Sequence, residues 1–123
     1  MRVGVYNIEI IQGSDTNDVA IIPTYKKEPI SLEGFTARME IRSEKDSSEV
    51  LDELTTENSR IEINSYVENS KTYWRLVLKF PNSTTTAYEF KRGVYDLEVV
   101  DSDSKVDRWI EGAVFVNKEV TRE

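Results

Sequence analysis

The chain has no cysteine and no histidine among its 123 residues. Without cysteine there can be no disulfide and no thiolate metal site. Without histidine the commonest general base and the commonest zinc ligand are missing. No apolar run approaches the ~20 residues that a membrane helix needs. Met1-Arg2-Val3-Gly4 does not open a signal-peptide apolar region. Heptads, internal repeats and linker-like stretches are also lacking, which argues against a fibre or a coiled-coil shaft. These absences predict a soluble protein made in a cytoplasm, with no membrane partner.

What is present is acidic. The 23 acidic residues outnumber the 16 basic ones, for a formal charge of −7. Such a surface repels phosphate backbones, so nucleic acid is not expected as a partner. A chain of this length suits one domain, residues 1–123, and can bury roughly two thirds of its unfolded surface.

Alternation with period two dominates the pattern. Ala37, Met39 and Ile41 alternate with polar residues, as do Trp74, Leu76, Leu78 and Phe80, and Tyr95, Leu97 and Val99. Side chains two apart share a sheet face, so each run has a buried and a wet side. Strands are expected near 5–11, 19–25, 36–43, 60–66, 72–80, 94–101 and 105–117. Turn-type clusters separate them at Gly13 to Asp15, Ser43 to Ser48, Asn69-Ser70, Asn82 to Thr86 and Asp101 to Ser104. Pro23 lacks a backbone donor, which makes its strand an edge. Asn82 to Tyr88 fits a short helical turn capped by Asn82 or Ser83. The last strand should bend or bulge at Gly112. The fold class is all-β, an antiparallel sandwich or Greek-key barrel of about seven to eight strands.

Catalytic and metal-binding patterns are weak. Asp101-Ser102-Asp103-Ser104 with Asp107 offers oxygen ligands suited to Ca²⁺ but lacks the spacing and closing glutamate of a dedicated loop. It reads as a solvated hairpin turn, and no metal or other cofactor is expected. Asp15 with Asp18, or Glu53 with Glu57, could form an acid–base pair, yet paired carboxylates are common in so acidic a chain. A serine triad has no histidine base. No enzymatic activity is expected. Asn82-Ser83-Thr84 fits a glycosylation sequon and reads as an unmodified turn. Gly34-Phe35 and Gly93-Val94-Tyr95 read as structural, with each glycine permitting a tight turn into its strand. Tyr95 would pack in the sandwich with its hydroxyl near a polar end, in an order similar to a tyrosine corner.

The last strand carries the candidate interface. Ile110, Gly112, Val114 and Val116 share one face, and Trp109, Glu111, Ala113 and Phe115 share the other. If the first set faces the core, Trp109 and Phe115 stand outward with Glu111 between them, as aromatic anchors for a partner. A bulge at Gly112 would instead swap the faces and bury one of them. The edge strand carrying Pro23 is the second candidate surface.

Five ordered blocks resemble one family. They are Ile10-Ile11-Gln12-Gly13-Ser14-Asp15, Pro29 through Arg42, Leu54 through Ile61, Gly93-Val94-Tyr95-Asp96-Leu97-Glu98, and Val116 through Arg122. Together they resemble small virion modules of tailed bacteriophages related to the N-terminal domain of upper baseplate proteins. Asn58-Ser59 stands where many relatives carry Asn-Gly, and Trp109 and Phe115 stand where smaller residues are usual. The resemblance implies an immunoglobulin-like β-sandwich located in the virion. It implies a structural role, docking in multiple copies on a symmetric capsid, neck or tail/baseplate component as a decoration, cement or adaptor. The rival expectation is a receptor- or carbohydrate-binding module, since exposed aromatics also stack on sugars.

Overall fold

Burial alternates residue by residue along two of the long strands. In the computed structural model, which describes residues 4–118, Thr36–Arg42 (β6) buries Ala37, Met39 and Ile41. Arg92–Val100 (β10) buries every second residue from Gly93 to Val99. The structure is mostly β, 55% strand with one short helix. The other strands are Gly4–Val5 (β1), Ile8–Ile11 (β2), Val19–Ile21 (β3), Thr24–Tyr25 (β4), Glu28–Pro29 (β5), Val50–Thr55 (β7), Ile61–Glu68 (β8), Lys71–Leu78 (β9) and Val106–Asn117 (β11).

The larger sheet runs β1-β11-β10-β6-β7, with β2 following β1 along the same edge of β11. Its interior pairs are antiparallel, whereas β1 and β2 lie parallel to β11. The second sheet is β3-β9-β8, antiparallel throughout, and β4 and β5 form a separate hairpin. Both sheets feed one core: Ile8, Ile10, Met39, Ile41, Leu54, Leu97 and Val114 from the first, Ile61, Leu76 and Leu78 from the second. Phe80, fully buried, lies just beyond β9.

Turn chemistry sets the hairpins. Asn69 and Ser70 both adopt left-handed conformations, φ 52° and 65°. That is the two-residue turn whose twist matches the strands it joins. Asp101 organises the turn into β11: its Oδ1 accepts from Asp103 N at 2.8 Å and Lys105 N at 2.9 Å. Its carboxylate thus serves backbone donors of the hairpin.

Several expectations need correction. The short helix, Asn82–Thr85 (α1), is preceded by Pro81 at its N-cap, with no side-chain cap from Asn82 or Ser83. Proline suits that position because its missing N–H costs nothing there. The expected strand 19–25 splits around Pro23 into β3 and β4. β3 does lie at a sheet edge. β7 was not anticipated at all. Gly93 sits inside β10, where a Cβ would meet Ile41 Cγ2 at 2.8 Å. It permits close packing, and no turn is involved. The Tyr95 hydroxyl donates to Tyr6 O at 2.6 Å, on a segment 89 residues upstream, so it ties down the N-terminal segment and is not a tyrosine corner.

Candidate docking surface

The last strand, β11, pairs with β10 without interruption through Gly112. The register shift falls instead where Leu97 pairs with Ile110 and Glu98 with Arg108. Trp109 is therefore the extra residue of a bulge, and a bulge locally re-aims side chains. Trp109 turns in to pack against the core, with its ring centroid 6.3 Å from that of Phe35. The expectation that Trp109 faces outward is corrected on this ground. Beyond the bulge the expected faces hold: Val114 and Val116 are buried and Phe115 is exposed.

Gly112 is needed for a different reason. A Cβ there would lie 2.1 Å from Tyr6 O. Tyr6 N donates to Glu111 O at 3.0 Å, and Ala113 N donates to Asn7 Oδ1 at 3.0 Å. The Asn7 side chain thus replaces a ladder bond where the N-terminal segment crosses Gly112.

Phe115 and Glu111 share the outer face of the larger sheet, and that face holds an open groove of about 570 Å³. Strand register builds its floor. Glu53 on β7 stands opposite Glu40 on β6, Glu40 opposite Asp96 on β10, and Asp96 opposite Glu111 on β11. Like charges directly opposite one another repel. Basic residues relieve part of this: Arg42 lies 2.5 Å from Glu40, and Arg108 lies 3.4 Å from Asp96 and 3.7 Å from Glu111. Arg38 pairs with Glu98 at 2.8 Å. Among the described residues Glu53 has no ion pair. Such exposed pairs are worth ~0–1 kcal/mol each, so they orient side chains more than they stabilise the fold. Outside the groove's lining, Arg92 lies over the Phe115 ring, 5.8 Å from its centroid. Val5 and Ile11 are exposed along the same edge.

A second polar cluster lies between the sheets' ends. Arg60 forms a two-pronged pair with Asp52, at 3.2 and 2.8 Å, and its Nε donates to Lys79 O at 2.9 Å. The Tyr88 hydroxyl also donates to Asp52. Burial pushes the Tyr88 phenol above its ordinary value, and the bond to Asp52 adds to this. All partners are satisfied, so the cluster reads as a clamp between β7, the start of β8 and the segment after α1.

The other sequence candidates are scattered. Asp18 accepts from Phe80 N at 2.9 Å, and Glu57 accepts from Thr56 Oγ1 at 3.0 Å. Neither faces its proposed partner in a shared pocket. Pro23 is half-buried, away from the groove, and its carbonyl accepts from Ile30 N at 3.2 Å. Among the described residues no group of three or more acidic side chains is arranged to hold a metal. Sequence reading found Phe115 and Glu111 from alternation, but the carboxylate row needs the register of four strands and has no signal in any one of them. Neither the family models nor the curated proteins compared with this chain contain a match.

Proposed function

We propose that this chain is a structural docking module of a tailed-phage particle, an immunoglobulin-like sandwich carried in multiple copies on a symmetric head, neck or tail component. One observation carries the reading: the outer face of the larger sheet is a broad charged groove lined in part by exposed Val5, and exposed Phe115 and Ile11 stand further along β11 and β2. An apolar anchor beside a polar field is the composition of protein interfaces. The resemblance blocks support the same reading, because they supply the locks of the fold. Gln12 donates to the carbonyls of Thr85, Thr86 and Tyr88 at 2.9, 3.3 and 3.1 Å. Gly34, with φ 79°, sits in the turn before β6. Lys118 closes the described chain by donating to Tyr88 O at 2.7 Å, and Glu119 to Arg122 of the last block lie outside the described residues.

Repeated weak docking sites on a symmetric array add up through avidity. The test is co-purification with particles. Phe115→Ala should leave melting of the isolated domain unchanged, Glu111→Lys should shift it by no more than a surface charge change does, about 0.5 kcal/mol, and both should weaken attachment by on the order of 2 kcal/mol or more. Full incorporation of both variants would place docking elsewhere. Retention of the wild-type chain on a glycan column, without particle association, would favour the carbohydrate-binding reading.

A further inference from the structure

The four edges of the two larger sheets are treated differently. On β7, Asn58 covers the exposed backbone: Thr55 N donates to its Oδ1 at 3.0 Å, and its Nδ2 donates to Glu53 O at 3.1 Å. On β2, Asn17 does the same for Ile11, accepting from its N at 2.9 Å and donating to its O at 3.0 Å. β3 is 3 residues long and Pro23 follows it closely. These are the familiar ways of blunting an edge. β8 is the exception. It is 8 residues long, pairs only with β9, and its register has no bulge.

Parity shows which of its groups are free. The two-residue turn at Asn69-Ser70 makes Glu68 and Lys71 a hydrogen-bonded pair. Lys79 N donates to Arg60 O at 2.8 Å, so the same parity holds at the far end. Even-numbered residues therefore bond β9, and the N–H and C=O groups of Ile61, Ile63, Ser65 and Val67 point away from the sheet. Among the described residues none of these groups has a hydrogen-bond partner; Ser65 and Val67 are exposed and Ile63 is half-buried, whereas Ile61, 2% exposed, is covered. Val67 is 70% exposed on this edge.

We propose that β8 is a self-pairing edge, on which a second copy of this chain adds its own β8 antiparallel about a two-fold axis at Asn64. Register selects this arrangement. With Asn64 opposite Asn64, Ile63 faces Ser65 in a hydrogen-bonded pair on either side of the axis, and Val67 meets the covered Ile61 at each end of the ladder and is covered there. Glu62 then faces Tyr66, and no like charges stand opposite. Moving the axis to Ser65 sets Glu62 against Glu68, which is unfavourable. Moving it to Ile63 leaves Val67 bare. A two-fold contact uses the same patch on both copies, and the two small sheets join into one of six strands. This inference stands independently of the phage reading and of the groove.

Sedimentation of the wild-type chain should show a concentration-dependent dimer. Val67→Lys, at an exposed site, and Ser65→Pro, which removes an outward donor and no bond to β9, should both give monomers with unchanged melting. The axis has its own test, because the chain has no native cysteine. Across it Asn64 forms a non-hydrogen-bonded pair, with Cα atoms about 4.5 Å apart, within disulfide range. Under oxidising conditions Asn64→Cys should give a covalent dimer and Glu62→Cys should not. A wild-type chain that stays monomeric throughout the series overturns the proposal. So does a dimer that survives Val67→Lys, or equal cross-linking at both positions.

Discussion

At the scale of single residues, the buried phenols link packing to pH. Tyr95 and Tyr88 are held above the ordinary phenol value of 10.0, chiefly by burial. An unfolded chain begins to lose those protons near pH 10, while the folded chain keeps them. Stability therefore does not vary with pH through either group at lower pH, and it falls as pH rises from about 10 through the folded-state values. Alkaline titration should show tyrosinate absorbance appearing together with loss of β circular dichroism. Tyr95→Phe should flatten that decline and, by removing the bond to Tyr6 O, cost about 0.5–1.5 kcal/mol at neutral pH. Tyrosinate appearing well before unfolding would mean these rings are accessible. Leu76 and Leu97, both 0% exposed, lie at the centres of the two sheets. Leu76→Ala or Leu97→Ala should each cost ~2–5 kcal/mol in denaturant unfolding, the range for buried leucine truncations. A cost below ~0.5 kcal/mol would match a surface site instead.

At the scale of elements, the N-terminal strand is the part most dependent on one contact. β1 and β2 follow the same register along β11 and are interrupted only where Tyr6 and Asn7 cross Gly112. Gly112→Ala would drive a methyl into Tyr6 O, and overpacking of this kind costs ~1–3 kcal/mol. Hydrogen exchange should then speed up in residues 4–11 while β8 and β9 keep their protection; unchanged exchange in β1 and β2 would contradict the lock. β6 and β10 could be read from sequence because their inward residues, Ala37, Met39 and Ile41, and Tyr95, Leu97 and Val99, are all apolar or aromatic. β7 could not, because Asp52 pairs with Ile41 on the core side of the sheet. Its charge breaks the alternation, and only its partners Arg60, 8 residues on, and Tyr88, 36 residues on, make that tolerable. The bulge was legible as a need for one but misplaced: glycine suggested 112, whereas the pairing puts it at Trp109. Of the two aromatics expected on the outer face of β11, Trp109 is therefore partly buried against the core, and Phe115 with Glu111 remains.

At the scale of the whole molecule, charge is unevenly relieved. The formal charge is −7, and the row Glu53, Glu40, Asp96 and Glu111 concentrates repulsion on one sheet face. Arg42 and Arg108 offset the middle and far end of the row, and among the described residues Glu53 has no ion pair. Added salt weakens both attraction and repulsion between exposed charges. In a chain with this net charge the repulsion is the larger sum. Screening becomes effective over about 8 Å at physiological ionic strength. The isolated domain should thus melt about 2–4 °C higher at physiological salt than at very low salt, a shift that corresponds to roughly 0.5–1 kcal/mol in a small domain. Glu53→Gln should capture part of that gain at low salt and leave less for salt to add. Melting that falls with salt in the wild type would show that the ion pairs of the groove outweigh its repulsion, and the Glu53 variant would then gain nothing at low ionic strength. A partner presenting cations to this face would relieve the same row, so attachment through the groove should weaken with the salt that stabilises the free domain.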